Sequence, residues 1–279
     1  MITRRKVLAA AAGLTAAPLA ACEEPPGQSA SVSGASAAPP ASSFAPASSA
    51  GAASSAPAAA PAAGLPPVSS NWTREAFLEA MASSGRPTAI SEASFQAIQA
   101  RKVLAIARIR GYLAERFGQA DPRVLAAFQQ VPREYYHYLY PEHLSQAVEA
   151  YEEVPKPWAL GYGSVLSDYL GQAYMTQIAQ PKADDVSLEV STGSGFQSSL
   201  LSRIVRQAYT IEIIQPIGAA VDRIFKPLGY DNVEGRVGDG YYGWPEVKDG
   251  FDAIIAPVIG MKNTPTSRRE WILPASSLV

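Results

Sequence analysis

Cysteine is all but absent from this chain of 279 residues: Cys22 stands alone, so no intrachain disulfide can form. Histidine is nearly as scarce. His137 and His143 sit in an aromatic segment and read as structural or exposed, no cysteine–histidine spacing occurs, and no metal site is expected. Lys and Arg number 23 against 25 Asp and Glu, a formal net charge of −2, which offers no basic stripe to a nucleic acid. Long apolar runs are lacking too. The stretch from Val7 to Ala21 is too short for an ordinary membrane span, and nothing after it is long and apolar enough.

What the two ends contain is compositionally distinct. Arg4-Arg5-Lys6 before the apolar stretch reads as a signal segment over residues 1–22, and the paired arginines suggest the twin-arginine export route. Leu19-Ala20-Ala21-Cys22 resembles a bacterial lipobox, which implies lipidation of Cys22 and a membrane anchor on an exported, periplasm-facing protein. Residues 23–70 are almost wholly Ala, Ser, Pro and Gly. With no periodic apolar face they cannot offset chain entropy, and they read as a disordered tether. Residues 71–279 suit one folded domain.

In that domain helical signals come first. Trp72 to Ala82 is a short amphipathic segment. Val103, Ile106, Ile109, Leu113 and Phe117 recur near the helical period, and Asp121-Pro122 starts a third helix as N-cap and first residue, ending at Val131-Pro132. The aromatic stretch 135–169 reads as irregular, with Ser167 or Asp168 capping a helix to about Ala179. A β/α alternation follows: strands over 185–190, 208–213, 232–237 and 252–257, helices over 196–206 and 215–228. Such alternation predicts a parallel sheet covered on both faces.

Chemistry-bearing residues gather at the carboxyl ends of those strands. Leu188-Glu189-Val190-Ser191-Thr192-Gly193-Ser194-Gly195-Phe196-Gln197 is a strand running into a glycine-containing turn that opens a helix, the setting in which such a turn binds a nucleoside cofactor. Glu212 ends the next strand about twenty residues on, where a carboxylate takes both ribose hydroxyls. Asp239, between Gly238 and Gly240, ends the third. Simpler roles compete: Glu212 as a cap of the next helix, Asp239 as a turn residue, Ser167 as an N-cap.

Taken in order, these pieces resemble the protein-L-isoaspartate O-methyltransferases. The likeness runs from about Arg108 to about Ile255 and rests on Asp121-Pro122-Arg123-Val124-Leu125, Val131-Pro132-Arg133-Glu134, the Leu188–Gln197 loop, Leu228-Gly229-Tyr230-Asp231-Asn232-Val233, Gly238-Asp239-Gly240, Gly243-Trp244-Pro245-Glu246 and Phe251-Asp252-Ala253-Ile254-Ile255. The resemblance implies an α/β, Rossmann-like S-adenosylmethionine methyltransferase sheet with N-terminal helices. It implies methyl transfer from S-adenosylmethionine to the free carboxylate of isoaspartyl residues in damaged proteins or peptides, with a monomer expected. It places Glu189, Ser191, Thr192, Gly193, Ser194 and Gly195 around the methionine end of the cofactor, Glu212 on the ribose, and Asp239 with Gly240 at the adenine. Ser167 is the position that carries over from the family's Thr-Ile-Ser run at the substrate carboxylate, as an orienting donor and not a nucleophile.

Three departures stand beside the likeness. Ser191 occupies a loop position where the family has glycine, Val165 replaces the threonine of the substrate run, and the chain stops about 22 residues after the fourth strand, apparently without the last strands, which leaves an apolar edge strand. They motivate an alternative reading as a catalytically impaired cofactor- or protein-binding relative. A nicotinamide-dependent dehydrogenase is a third; the Ser-x-Gly-x-Gly turn counts against it.

Overall fold

A computed structural model describes residues 6–9 and 72–257. Cys22, the tether 23–70 and the segment after Pro257 lie outside the described residues. Contacts divide the chain into one unit of Met1–Ala12 with Gly64–Val279 and another of Gly13–Ala63, the second lying wholly outside them.

In chain order the first unit contains β1 (Lys6–Ala9), α1 (Arg74–Ser83), α2 (Glu92–Phe117), α3 (Pro122–Gln130), α4 (Arg133–Tyr136), β2 (Tyr138–Leu139), β3 (Leu144–Ser145), β4 (Trp158–Gly161), β5 (Ser164–Leu166), α5 (Tyr169–Ala179), β6 (Val186–Val190), α6 (Phe196–Ser202), β7 (Gln207–Glu212), α7 (Gln215–Val221), β8 (Val233–Val237) and β9 (Ala253–Ala256). The main sheet runs β1-β9-β6-β7-β8, all parallel. The order reverses at β6, with β7 and β8 on one side and β9 on the other. In such sheets that reversal opens a crevice at the strands' carboxyl ends.

Strand residues alternate between two differently covered faces. Ala208, Ala253 and Ile255 join a large core with Leu200, Leu201, Ile217 and Val221 of α6 and α7. Leu188, Val190, Ile211 and Ile254 turn the other way, onto Trp244 and Phe251. The expected cover on both faces is therefore uneven: helices fill one face, and among the described residues the loop after β8 covers the other.

Local chemistry accounts for most element boundaries. Asp121 caps α3, accepting from the N–H of Arg123 at 2.8 Å, and Pro122 occupies the first helical turn, where its missing donor costs nothing. Asp168, not Ser167, caps α5, with its Oδ1 2.8 Å from the N–H of Gly171. The tyrosines at 135, 136, 138 and 140 are all buried in the core.

Several expectations are corrected. The helix expected from Val103 begins at Glu92, capped by Ser91, and Val103 itself is 69 % exposed. Helices expected over 196–206 and 215–228 stop at Ser202 and Val221, because the chain must turn back into β7 and β8; Ile204 and Val205 are buried in that turn instead. The segment 135–169 is less irregular than expected, holding two short antiparallel hairpins, β2–β3 and β4–β5. The edge of β9 is also not bare. Lys6–Ala9, within the segment read as a signal, pairs with Ala253–Ala256 in parallel register.

Candidate functional site

The crevice at the sheet reversal is a cleft of about 180 Å³. Glu189 comes to it from β6, Ser191, Thr192, Gly193 and Ser194 from the β6–α6 turn, Glu212 and Ile214 from the end of β7, and Gly163 to Ser167 from the β4–β5 hairpin. Of the residues read from sequence, then, the fold gathers Ser167, Glu189, Ser191, Thr192, Gly193, Ser194 and Glu212 around one space. Gly195, Asp239 and Gly240 are not part of its lining. Gly195 sits behind the turn, where an added Cβ would lie 3.0 Å from Val221 and 3.2 Å from Phe225. Asp239 is exposed and accepts from the N–H of Tyr241 at 2.9 Å, as a turn cap does.

The turn is shaped by left-handed backbone. Gly193 and Gly195 have φ of 53° and 84°, and Ser191 has φ of 76°. A residue with a Cβ is strained in that region by about 1–2 kcal/mol, so the expected glycine-like conformation is kept at Ser191 at a local cost. The N–H groups of Ser191 and Thr192 donate to the carbonyl of Ile211 at 2.8 and 3.2 Å, fixing the turn to the end of β7.

Two carboxyl groups sit at the base of the cleft in different surroundings. Glu212 accepts from the N–H of Gly193 at 2.7 Å through Oε2 and from that of Ile214 at 2.9 Å through Oε1. Capping the start of α7 and facing the cleft are thus both properties of one side chain. Glu189 points from β6 toward α6, where Ser198 donates to its Oε2 and Thr210, its register partner on β7, donates at 3.0 Å. Burial pushes the Glu189 carboxyl up to about 8, with its hydrogen bonds opposing that shift and the nearby Glu212 adding to it. Thr192 and Thr210 share a hydrogen bond of 2.7 Å, so the turn, β7 and Glu189 form one polar knot.

Sequence reading missed three contributors. Gln197 lines the cleft, donates to Thr176 at 2.9 Å and leaves its Oε1 buried without a partner among the described residues. Ile213, 64 % exposed, stands beside Glu212 at the cleft's edge as an apolar surface. Arg133 is the third, fully buried. It donates to the carbonyls of Ala150 at 3.0 Å and Ser167 at 2.8 Å and to Gln172 at 2.5 Å. Burial lowers its guanidinium to about 10, which leaves it charged at neutral pH behind Ser167. The Val-Pro-Arg-Glu run signalled it only as part of a pattern, since no local spacing links residue 133 to residue 167.

Comparison with known proteins bears on this geometry. The family model for protein-L-isoaspartate(D-aspartate) O-methyltransferase matches residues 107–271. The protein-L-isoaspartate O-methyltransferase 1 of Nitrosospira multiformis is 46 % identical over 132 residues, covering 47 % of this chain and 52 % of that protein. A protein of the same description from a Synechococcus strain is 39 % identical over 176 residues, covering 62 % and 68 %. A solved structure named protein-L-isoaspartate O-methyltransferase aligns at 22 % identity with a TM-score of 0.47, covering 56 % of this chain and 48 % of that one. The chain spans roughly half to two thirds of the length of the curated relatives it matches.

The buried Glu189 gives stability a pH dependence. Its proton is held more tightly in the folded chain, so its contribution is complete below about 4.5, declines as pH rises, and is lost once pH passes about 8. Glu189→Gln, which mimics the neutral acid, is expected to flatten that decline and to be the more stable chain at pH 9. Urea unfolding across pH 5–9 checks this; parallel curves for the two chains would contradict it.

Proposed function

Because this chain belongs to the protein-L-isoaspartate(D-aspartate) O-methyltransferase family, we propose that it transfers the methyl group of S-adenosylmethionine to the free carboxylate of L-isoaspartyl residues in damaged proteins. The observation that carries the reading is one cleft lined by Glu189, Gln197, Glu212 and Ser167, three of them acceptors that suit a ligand rich in donors.

The residues fit the cofactor group by group. Glu189 and the Gln197 Oε1, which has no partner among the described residues, would hold the α-ammonium. Ribose hydroxyls meet Glu212, whose carboxylate keeps lone pairs beyond the two N–H groups it accepts. At about 180 Å³ the cleft is smaller than the ~300 Å³ at which ligand pockets usually begin. It would therefore hold the amino-acid and ribose parts, and the exposed Ile213 at its edge, with Asp239 and Gly240 after β8, would be the residues to meet the base.

S-adenosylmethionine supplies an activated methyl on a sulfonium. The acceptor carboxylate is already ionised near neutral pH, so no side chain has to generate the nucleophile. What remains for the protein is alignment and exclusion of water, worth roughly 7–11 kcal/mol in favourable cases. Ser167 lies on the hairpin side of the cleft, with its carbonyl held by Arg133, and its hydroxyl is free to orient the carboxylate. The Arg133 charge behind it favours an anion there. The backbone nitrogen of the following residue in the substrate then attacks the ester carbonyl and expels methanol to close a succinimide, and water reopens that ring in part as normal aspartate.

Methyl transfer from labelled S-adenosylmethionine to an isoaspartyl peptide, beside its aspartyl twin, tests the proposal. The expected product is a base-labile methyl ester on the isoaspartyl peptide alone, with Ser167→Ala lowering kcat/KM by about tenfold, the worth of one hydrogen bond to a charged group. Absence of labelled ester from a chain that binds the cofactor would overturn it.

We also propose that the chain is exported and anchored through a lipid on Cys22, with residues 23–70 as its tether. The single cysteine at the end of the Leu-Ala-Ala-Cys run supports this. Processing before Cys22 would remove Lys6–Ala9 and uncover β9. Labelled palmitate is expected to enter the wild-type chain in a bacterial host and not Cys22→Ala; equal labelling of both would refute the anchor.

A further inference from the structure

A second and larger cavity, about 910 Å³, opens among α1, α2 and α3, lined by a set of residues that shares none with the cleft just described. Its walls carry an apolar strip, Val103, Ile106 and Ala107, and its polar content is unusual. Lys102 lies on the core-facing side of α2, only 7 % exposed, and makes no hydrogen bond or ion pair among the described residues. Glu134, which acts on it electrostatically, has both oxygens engaged elsewhere, by Gln99 at 2.7 Å and by Tyr151 at 2.8 Å. The indole Nε1 of Trp72, which also lines the cavity, is buried and likewise without an acceptor among the described residues.

Two unmatched donors in one cavity are informative because each is costly. A buried ammonium loses several kcal/mol of hydration unless an anion or acceptors replace it, and burial lowers the Lys102 pKa accordingly, against the opposing effect of Glu134. A buried N–H without an acceptor is similarly uncommon. Arg110 adds a further cation to the lining, against Glu75 and Glu92, the second of which already accepts from Gln96. The lining thus holds Arg74, Lys102 and Arg110 against Glu92 and Glu75, the latter paired with Arg74 at 3.7 Å, beside an apolar strip whose outermost residue, Val103, is 69 % exposed.

We propose that this cavity binds a small organic carboxylate, its head group accepting from Lys102 and from the Trp72 indole and its apolar stem lying along Val103, Ile106 and Ala107. The site is independent of the methyl-transfer reading and would stand if that reading failed. No covalent step is involved. The ligand neutralises Lys102 and supplies the acceptor that the fold withholds.

Calorimetric titration of the full chain with octanoate, octanol and octylamine tests the site. Octanoate is expected to bind one-to-one and the other two at least about tenfold more weakly, the size of one charge-assisted hydrogen bond. Lys102→Met, which keeps the stem and removes the charge, is expected to lower octanoate affinity about tenfold or more while melting no earlier than wild type. Lys102→Arg is expected to retain binding within a few-fold. Equal affinity for octanol, undiminished octanoate binding by folded Lys102→Met, or no saturable binding up to several millimolar octanoate would each overturn the assignment.

Discussion

The hydrogen bonds from the N–H groups of Gly193 and Ile214 to the Glu212 carboxylate, at 2.7 and 2.9 Å, organise the carboxyl end of the sheet. One side chain ties the turn after β6 to the start of α7 and fixes the separation between two strand ends. Hydrogen bonds from the turn to the Ile211 carbonyl reinforce it, and Gly193 takes a left-handed φ of 53° that a side chain would strain, with Leu160 and the Val165 carbonyl in van der Waals range of where a Cβ would lie, at 3.5 and 3.8 Å. The cleft exists because the β4–β5 hairpin lies that close over the turn.

A second constraint comes from charges buried below the cleft. Arg133 spans from Ala150 to Ser167, and Glu134, its neighbour in sequence, is bonded by Gln99 of α2 and by Tyr151. Breaking such buried sets by removing one member is expensive, because the other is left uncompensated. The N-terminal helices are therefore joined to the end of the β4–β5 hairpin by hydrogen bonds as well as apolar packing. This gives the Val-Pro-Arg-Glu run a structural purpose that its position in the chain does not reveal.

The β/α half was legible in the sequence because its signal is periodic and local. The four strands from Val186 onward lie within a residue or so of their expected bounds, and Glu189 and Glu212 fall at the strand ends as read. The first half of α2 was hidden. Phe95 and Ile98 start its buried face at Ser91's cap, but the next residue on that face is Lys102, which breaks the apolar period. The same lysine is what makes the second cavity unusual. Long-range partnerships were illegible for a different reason: neither the Arg133–Ser167 contact nor the pairing of Lys6–Ala9 with β9 has any local signature. Asp239 accepts from the N–H of Tyr241 in its own turn and lies outside the cleft lining, so its place after β8 speaks less directly for a site than those of Glu189 and Glu212.

The central claim is that the cleft beneath the Gly193 turn holds S-adenosylmethionine through Glu189 and Glu212. Titration calorimetry with S-adenosylhomocysteine, on the wild-type chain and on Glu212→Gln, addresses it most directly. The account predicts one site in the wild type and affinity lowered by about tenfold or more in a variant that still melts cooperatively, as expected when an acceptor to two ribose hydroxyls is weakened. No binding by the folded wild-type chain, or equal affinity in Glu212→Gln, would contradict it.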